Sequence, residues 1–347
     1  MSARRTPDEA LAHLDDGIAE EHRLHRALGP SHLIMIGIGC IIGAGIFVIT
    51  GTAAAQHAGP AVLLSFVISG VGCLFAGLCY AEFASMIPQA GSSYTYAYAT
   101  MGRFMAWFIG WNMVLEYGVS ASTVAVGWSG YFVSLLSNFG IGFPAAFANA
   151  PLAATSISDM RLTGAVVNVP AVALIVALTV ILAVGVRQAA TANAVMVYIK
   201  TSIVILVILF GLPYVTATNL TPFVPDNEGE WGKFGSSGVL AASGMVFFAY
   251  IGFEAVSVAA QESTNPRRDI PIGILGSLFI CTLLYVLMAI VLTGIANWRD
   301  LDVPNHVSFA VGQIPALRWL VIPIDIGVLA GLAPITFLGI SGQSGFF

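Results

Sequence analysis

Two glycine-interrupted apolar stretches and one isolated lysine hold most of the chemistry this chain could perform. The stretches are "IGCIIGAGIFVITG" (38–51) and "SGMVFFAYIGFEAVSVAAQE" (243–262), and the lysine is Lys200. In hydrocarbon a backbone group without a partner is costly, so a broken helix is tolerated only where it is buried in protein or lines a cavity. Unwinding at "GAG" would free amide N–H groups at the positive end of the following half-helix, a setting that favours a carboxylate. Unwinding at "FAYIG" would expose carbonyls at the negative end of a half-helix, a setting that favours an ammonium. Two such breaks side by side would hold the zwitterionic head of an amino acid with backbone alone. A second reading is that Gly39 and Gly43, spaced G-x-x-x-G, simply let two helices pack closely.

Charged groups inside the apolar runs add to this. Lys200 falls about 13 Å into a helix that starts at Thr191, too deep to reach water easily. Such a lysine either gives up and regains a proton during a cycle or stays bound to carbonyls as a structural element. Glu254 directly follows the second break, where it could steady the unwound segment or carry a proton. Glu116, in "GWNMVLEYGVS", lies mid-span and could meet substrate, water or a tyrosine hydroxyl. Asp325, in "IPIDIG", sits toward the end of its run and reads as a vestibule residue, and Glu82 as an anchor.

The elements that must position these groups are membrane helices. Of 347 residues, 57 % are hydrophobic and 9 % charged, whereas a soluble domain carries about 25 % charged residues. Eight runs are long enough to cross a bilayer: about 31–57, 61–84, 104–137, 165–186, 191–214, 238–260, 271–295 and 319–342. Residues 1–30 are polar, mixed in charge and lack an apolar core, so they read as a cytosolic tail and not a cleaved signal. With that tail inside, the inner segments hold Arg4, Arg5, Arg23, Arg26, Arg103, Arg187, Arg267 and Arg268. The outer loops hold Arg161, Lys233, Arg299 and Arg318. That excess of inner positive charge supports the orientation. "PQAGSSYTYAYATMG" (88–102) is too polar to span and reads as a short interfacial helix.

Other chemistries find no support. Cys40, Cys73, Cys79 and Cys281 have no paired spacing and read as apolar filler. The six histidines do not cluster as metal ligands. No Walker, G-x-S-x-G or H-E-x-x-H pattern occurs, so neither an enzyme nor an ATPase is indicated. No cofactor is expected, and with a net charge of −5 and no basic patch, no nucleic-acid partner.

The sixth run is broken like the first, five runs earlier, and breaks at matching positions point to an inverted-repeat transporter. Spans 1–5 (31–214) would form one repeat, 215–237 an outer loop, and spans 6–8 (238–347) part of a second. "IGCIIGAGIFVITG", "AGSSYTYAYATMG", "GWNMVLEYGVSASTVAVGWSGYF", "FFAYIGFEAVSVAAQESTNPRRDIPIGILGS" and "LGISGQS" carry a family resemblance. From about His25 onward the chain resembles the amino acid permeases of the APC superfamily, and within it the bacterial cationic-amino-acid-transporter branch.

The resemblance implies an all-α integral membrane protein with the five-plus-five inverted repeat of the sodium-coupled leucine transporter. It implies that Gly43, Ala44, Gly45 and Ile46 bind the substrate carboxylate, and that Phe248, Ala249 and Ile251 offer carbonyls to its amine. Lys200 matches a fifth-span lysine that stands in for a sodium ion in proton-coupled relatives. Glu254 matches a glutamate implicated in proton sensing in an arginine/agmatine antiporter. Such permeases have about twelve spans and continue beyond "GQS", so the second repeat is expected to be incomplete and the chain truncated. The expectation is therefore a proton-coupled, sodium-independent amino acid permease of the inner membrane, for a small neutral L-amino acid or a cationic one. Its partners would be substrate, proton and lipid bilayer, and a non-transporting membrane fragment is the alternative from another class.

Overall fold

The computed structural model describes residues 28–87, 92–153, 161–184 and 189–344. The tail, Arg187 and the start of "PQAGSS" lie outside those residues. Helix α1 (Pro30–Ile41) opens on a proline, whose missing N–H costs nothing in a first turn. It stops at Ile42–Gly43. The chain resumes as a π-helical turn (Gly45–Ile49), a short α turn (Thr50–Ala53) and a second π-helical turn (Ala54–Ala58). It reverses at Gly59–Pro60 into α2 (Val62–Met86). Then come α3 (Ser92–Met101), α4 (Arg103–Asn138), α5 (Val169–Val184) and α6 (Ala189–Gly211). Helix α7 (Gly235–Val246) tightens into a 3-10 turn (Phe247–Tyr250) and breaks before Ala255. The last elements are α8 (Pro266–Ile295), α9 (His306–Gly312) and α10 (Val321–Ser344).

Six helical stretches among the described residues are long and apolar enough to cross a membrane. The first, Pro30–Met86, holds 57 residues and a reversal, which makes it the first two expected spans. Helix α5 is the fourth expected span; its 16 described residues reach about 24 Å, slightly short of the hydrocarbon core. The interfacial segment is helical from Ser92 and packs on α4. A two-residue antiparallel ladder pairs Leu152–Ala153 with Arg161–Leu162 in the connection between α4 and α5.

The helices associate in two groups. Helices α1, α2, α7 and α8 pack on one another, and α10 packs along α4, α5 and α6. Helix α6 also touches α8 and α1, so it lies along the seam between the groups. One end of the molecule carries the long connections. There Phe234 N–H donates to His57 O at 2.8 Å and Gln56 Nε2 donates to Asp302 Oδ2 at 2.8 Å. At the opposite end Leu28 pairs with the 262–264 segment, through Leu28 N to Glu262 O (2.9 Å) and Thr264 N to Leu28 O (3.0 Å).

Helix α9 belongs to the loop-rich end and pins the broken first helix. His306 is fully buried, and its Nε2 donates to Ile46 O at 3.2 Å. Burial pushes the His306 imidazole down to about 4 from the usual 6.5, with the Ile46 and Val303 carbonyls and Asp302 opposing in part. The fold therefore holds His306 neutral, and the unfolded chain takes up its proton first as pH falls. Stability should be intact above about pH 6.5 and decline toward pH 4, by about 3 kcal/mol from this group. Comparing detergent melting curves of wild type and His306→Gln checks this. The glutamine amide still donates to Ile46, so only the variant should lose that part of the acid sensitivity.

Candidate functional site

The two breaks meet. A Cβ added to Gly45 would overlap Cβ and Cα of Ala249, so the first break lies directly against the 3-10 turn of the second. Gly252 has φ +109°, and a Cβ there would sit 2.8 Å from Cys40 O. Only glycine combines that dihedral with so close a backbone approach. Gly244, the other glycine flanking this stretch in sequence, lies inside α7 and takes no part in the break.

Five carbonyls around the first break accept from side chains, four of them from other elements. Lys200, only 2 % exposed, donates Nζ to Gly39 O. Tyr285 Oη lies 2.8 Å from Ile41 O and 2.9 Å from Ala249 O, so its single proton serves both breaks. Thr50 Oγ1 donates to Gly45 O (3.0 Å), His306 Nε2 to Ile46 O and Tyr131 Oη to Phe47 O (2.7 Å). The resumed helix opens at Gly45 with Ala44 as its cap, so the N–H groups of Ala44, Gly45 and Ile46 fall where an intrahelical acceptor is lacking, and Gly43 lies just before them.

At the second break, Phe248 O accepts from Ile251 N–H at 3.3 Å and Ala249 O accepts from Tyr285. Each carbonyl keeps a second lone pair for an ammonium. Glu254 Oε2 accepts from Gly252 N–H in the unwound segment at 3.0 Å. Glu254 and Glu116 line one cavity of about 80 Å³, with Tyr80, Ser93, Ile251 and Phe253. Glu116 lies on the more exposed side of α4, whereas Glu254 is buried. The structure thus brings together the two breaks and Lys200, and places the two glutamates at a cavity beside the second break. Among the described residues there is no cluster of His, Cys, Asp and Glu that could hold a metal.

Sequence reasoning did not single out Tyr285, Tyr131, Thr50 or His306. A tyrosine in an apolar run raises no alarm, because its ring belongs there and only its hydroxyl needs a partner. Tyr285 is fully buried, and its ring packs on Phe66 and Tyr250 at 5.4 and 5.5 Å. Tyr285→Phe should preserve that packing while removing the donor shared by two buried carbonyls. The expected cost is about 1–3 kcal/mol, read as a lower melting temperature of the purified protein.

Two broken helices that meet inside a bundle of membrane-length apolar helices are features of a multi-pass membrane transporter. The chain belongs to the amino acid permease family, whose model matches residues 28–346. It is 42 % identical over 335 residues to the methylthioribose transporter of Bacillus subtilis (strain 168), covering 96 % of this chain and 68 % of that protein. It is 42 % identical over 324 residues to the branched-chain amino acid permease BcaP of the same organism, covering 93 % and 66 %. Cationic amino acid transporter 5 of Arabidopsis thaliana is 36 % identical over 324 residues, covering 93 % and 53 %. The chain thus spans about two thirds of those bacterial relatives and about half of the plant one.

Proposed function

We propose that this chain carries the substrate site of an amino acid permease that is proton-coupled and independent of sodium. The observation behind this is the contact between the two breaks, where Gly45 lies directly against Ala249; in our reading the amides of Gly43–Ile46 and the carbonyls of Phe248, Ala249 and Ile251 form the site. A substrate carboxylate would take the amides and its ammonium the carbonyls. Binding would part Gly45 from Ala249, and the group α1, α2, α7 and α8 would rock against α4, α5, α6 and α10. Lys200 would alternate between a charged form bound to Gly39 O and a neutral form, with Glu254 as the second proton carrier at the other break. The chain would divide into repeats at 31–214 and 238–347, joined by 215–237, with the N-terminus cytoplasmic in an inner membrane.

A small or branched neutral side chain is our first reading of the substrate, supported by the relative named a branched-chain amino acid permease. A cationic substrate is the second, favoured by the cavity where Glu116 and Glu254 lie together. Uptake of labelled leucine, alanine and arginine into proteoliposomes separates them. We expect leucine or alanine uptake that rises with an acid exterior and is unchanged when potassium replaces sodium. Preferential arginine uptake would select the second reading. Uptake that requires sodium would remove the role given to Lys200. No uptake of any amino acid would mean that this chain does not transport by itself.

A further inference from the structure

Helix α3 ties the two helix groups together at the end opposite the long connections. It packs on α4 of one group and touches the helical turn Ala255–Val258, which follows the second break in the other. Gly102 alone, at φ +89°, separates it from α4. Tyr94 faces α4: a Cβ added to Gly110 would come within 3.3 Å of its ring. Tyr96, two residues on and so about 200° around the helix, faces the other group. Its ring stacks on Phe83 of α2 at 5.3 Å and meets Tyr80 edge-on at 6.2 Å.

Tyr80 is where this contact reaches the second break. Its ring stands edge-on to Phe253, in the unwound stretch just after Gly252, at 5.4 Å. Its hydroxyl shares a hydrogen bond with Ser93 Oγ of α3. Tyr80, Ser93 and Phe253 also line the cavity that holds Glu116, Glu254 and Cys73. Ring contacts are non-directional and tolerate sliding, whereas a hydrogen bond weakens steeply once its angle is lost. Rocking of the groups must therefore either lift α3 from α4 or part Tyr80 from Ser93. The single-residue link to α4 favours the second.

We propose that α3 is a latch between the two groups, closed while Tyr80 is bonded to Ser93 and opened when that bond parts. Opening uncovers the cavity beside the second break. The latch rests on the rocking motion proposed above and adds the place where the groups separate at this end.

The test is N-ethylmaleimide labelling of the purified full chain, followed cysteine by cysteine by peptide mass spectrometry. Cys73 and Cys281 are fully buried, and Cys79 is exposed on α2. Tyr80→Phe and Ser93→Ala each remove one half of the hydroxyl pair and leave the aromatic rings in place. Each should raise the labelling rate of Cys73 about fivefold, the weight of one hydrogen bond, with Cys79 and Cys281 unchanged. Should one variant unfold, shown by rapid labelling of Cys281, the other decides. Unchanged labelling of Cys73 in a folded variant, or an equal rise at Cys73 and Cys281 in both, would overturn the latch. Labelling needs neither substrate nor gradient, so a latch that fails in protein that takes up amino acids leaves the permease reading standing. The expected labelling in protein without uptake would support the latch and count against transport by this chain.

Discussion

Replacing Gly45 by valine is expected to abolish amino acid uptake and to destabilise the folded protein. The valine Cβ would overlap Ala249 backbone, which cannot move aside as a flexible side chain would. Relief requires the two breaks to separate, which unmakes the hydrogen bonds Tyr285 shares between them. Overpacking of this kind costs about 1–3 kcal/mol before any bond is lost. The paired control is Gly72→Ala in α2, where a new Cβ meets nothing within 4 Å. In a helix interior that change should be neutral or stabilising by up to about 1 kcal/mol. Uptake and detergent melting of the two variants check the expectation. A Gly45→Val protein that transports at the wild-type rate would show that substrate does not pass between the breaks.

The second large effect separates stability from coupling. Lys200→Met keeps most of the side-chain volume and removes an ammonium that donates, among the described residues, to Gly39 O. The bare carbonyl costs about 1–3 kcal/mol, while losing a desolvated charge returns a similar amount. The melting temperature should therefore move little. Uptake should respond quite differently. If one proton accompanies each substrate, a gradient of one pH unit supplies about 1.4 kcal/mol and can drive about tenfold accumulation. The variant should lose that accumulation and retain, at most, exchange down a substrate gradient. Full proton-driven accumulation by Lys200→Met would assign Lys200 to structure alone.

Much of this arrangement was legible in the sequence, because breaking a helix in hydrocarbon needs conspicuous residues. Gly43, Gly45 and Gly252 mark the breaks, and Lys200 and Glu254 stand out as charges in apolar runs. Their depth followed from a rise of 1.5 Å per residue. What stayed hidden depends on contacts between distant segments. Nothing local to Tyr285 in "TLLYVLMAIV" says that its hydroxyl lies between Ile41 and Ala249. His306 sits in a connection that reads as an ordinary loop until α9 is seen folded onto Ile46. Glu116 shows the opposite limit. Its mid-span position says nothing of which way it faces, and the register of α4 puts it on the more exposed side, at the edge of the cavity. Helical phase over 36 residues cannot be read from hydropathy when the helix is apolar nearly all round.

The carbonyls around the first break have donors contributed by α4, α6, α8 and α9, besides Thr50 next door. Residues that lie far apart in the gene are therefore wired to one short stretch of main chain. A genetic selection for revertants of a crippled Gly45 allele should accumulate changes at codons 131, 200, 285 and 306, and few among the immediate neighbours of Gly45.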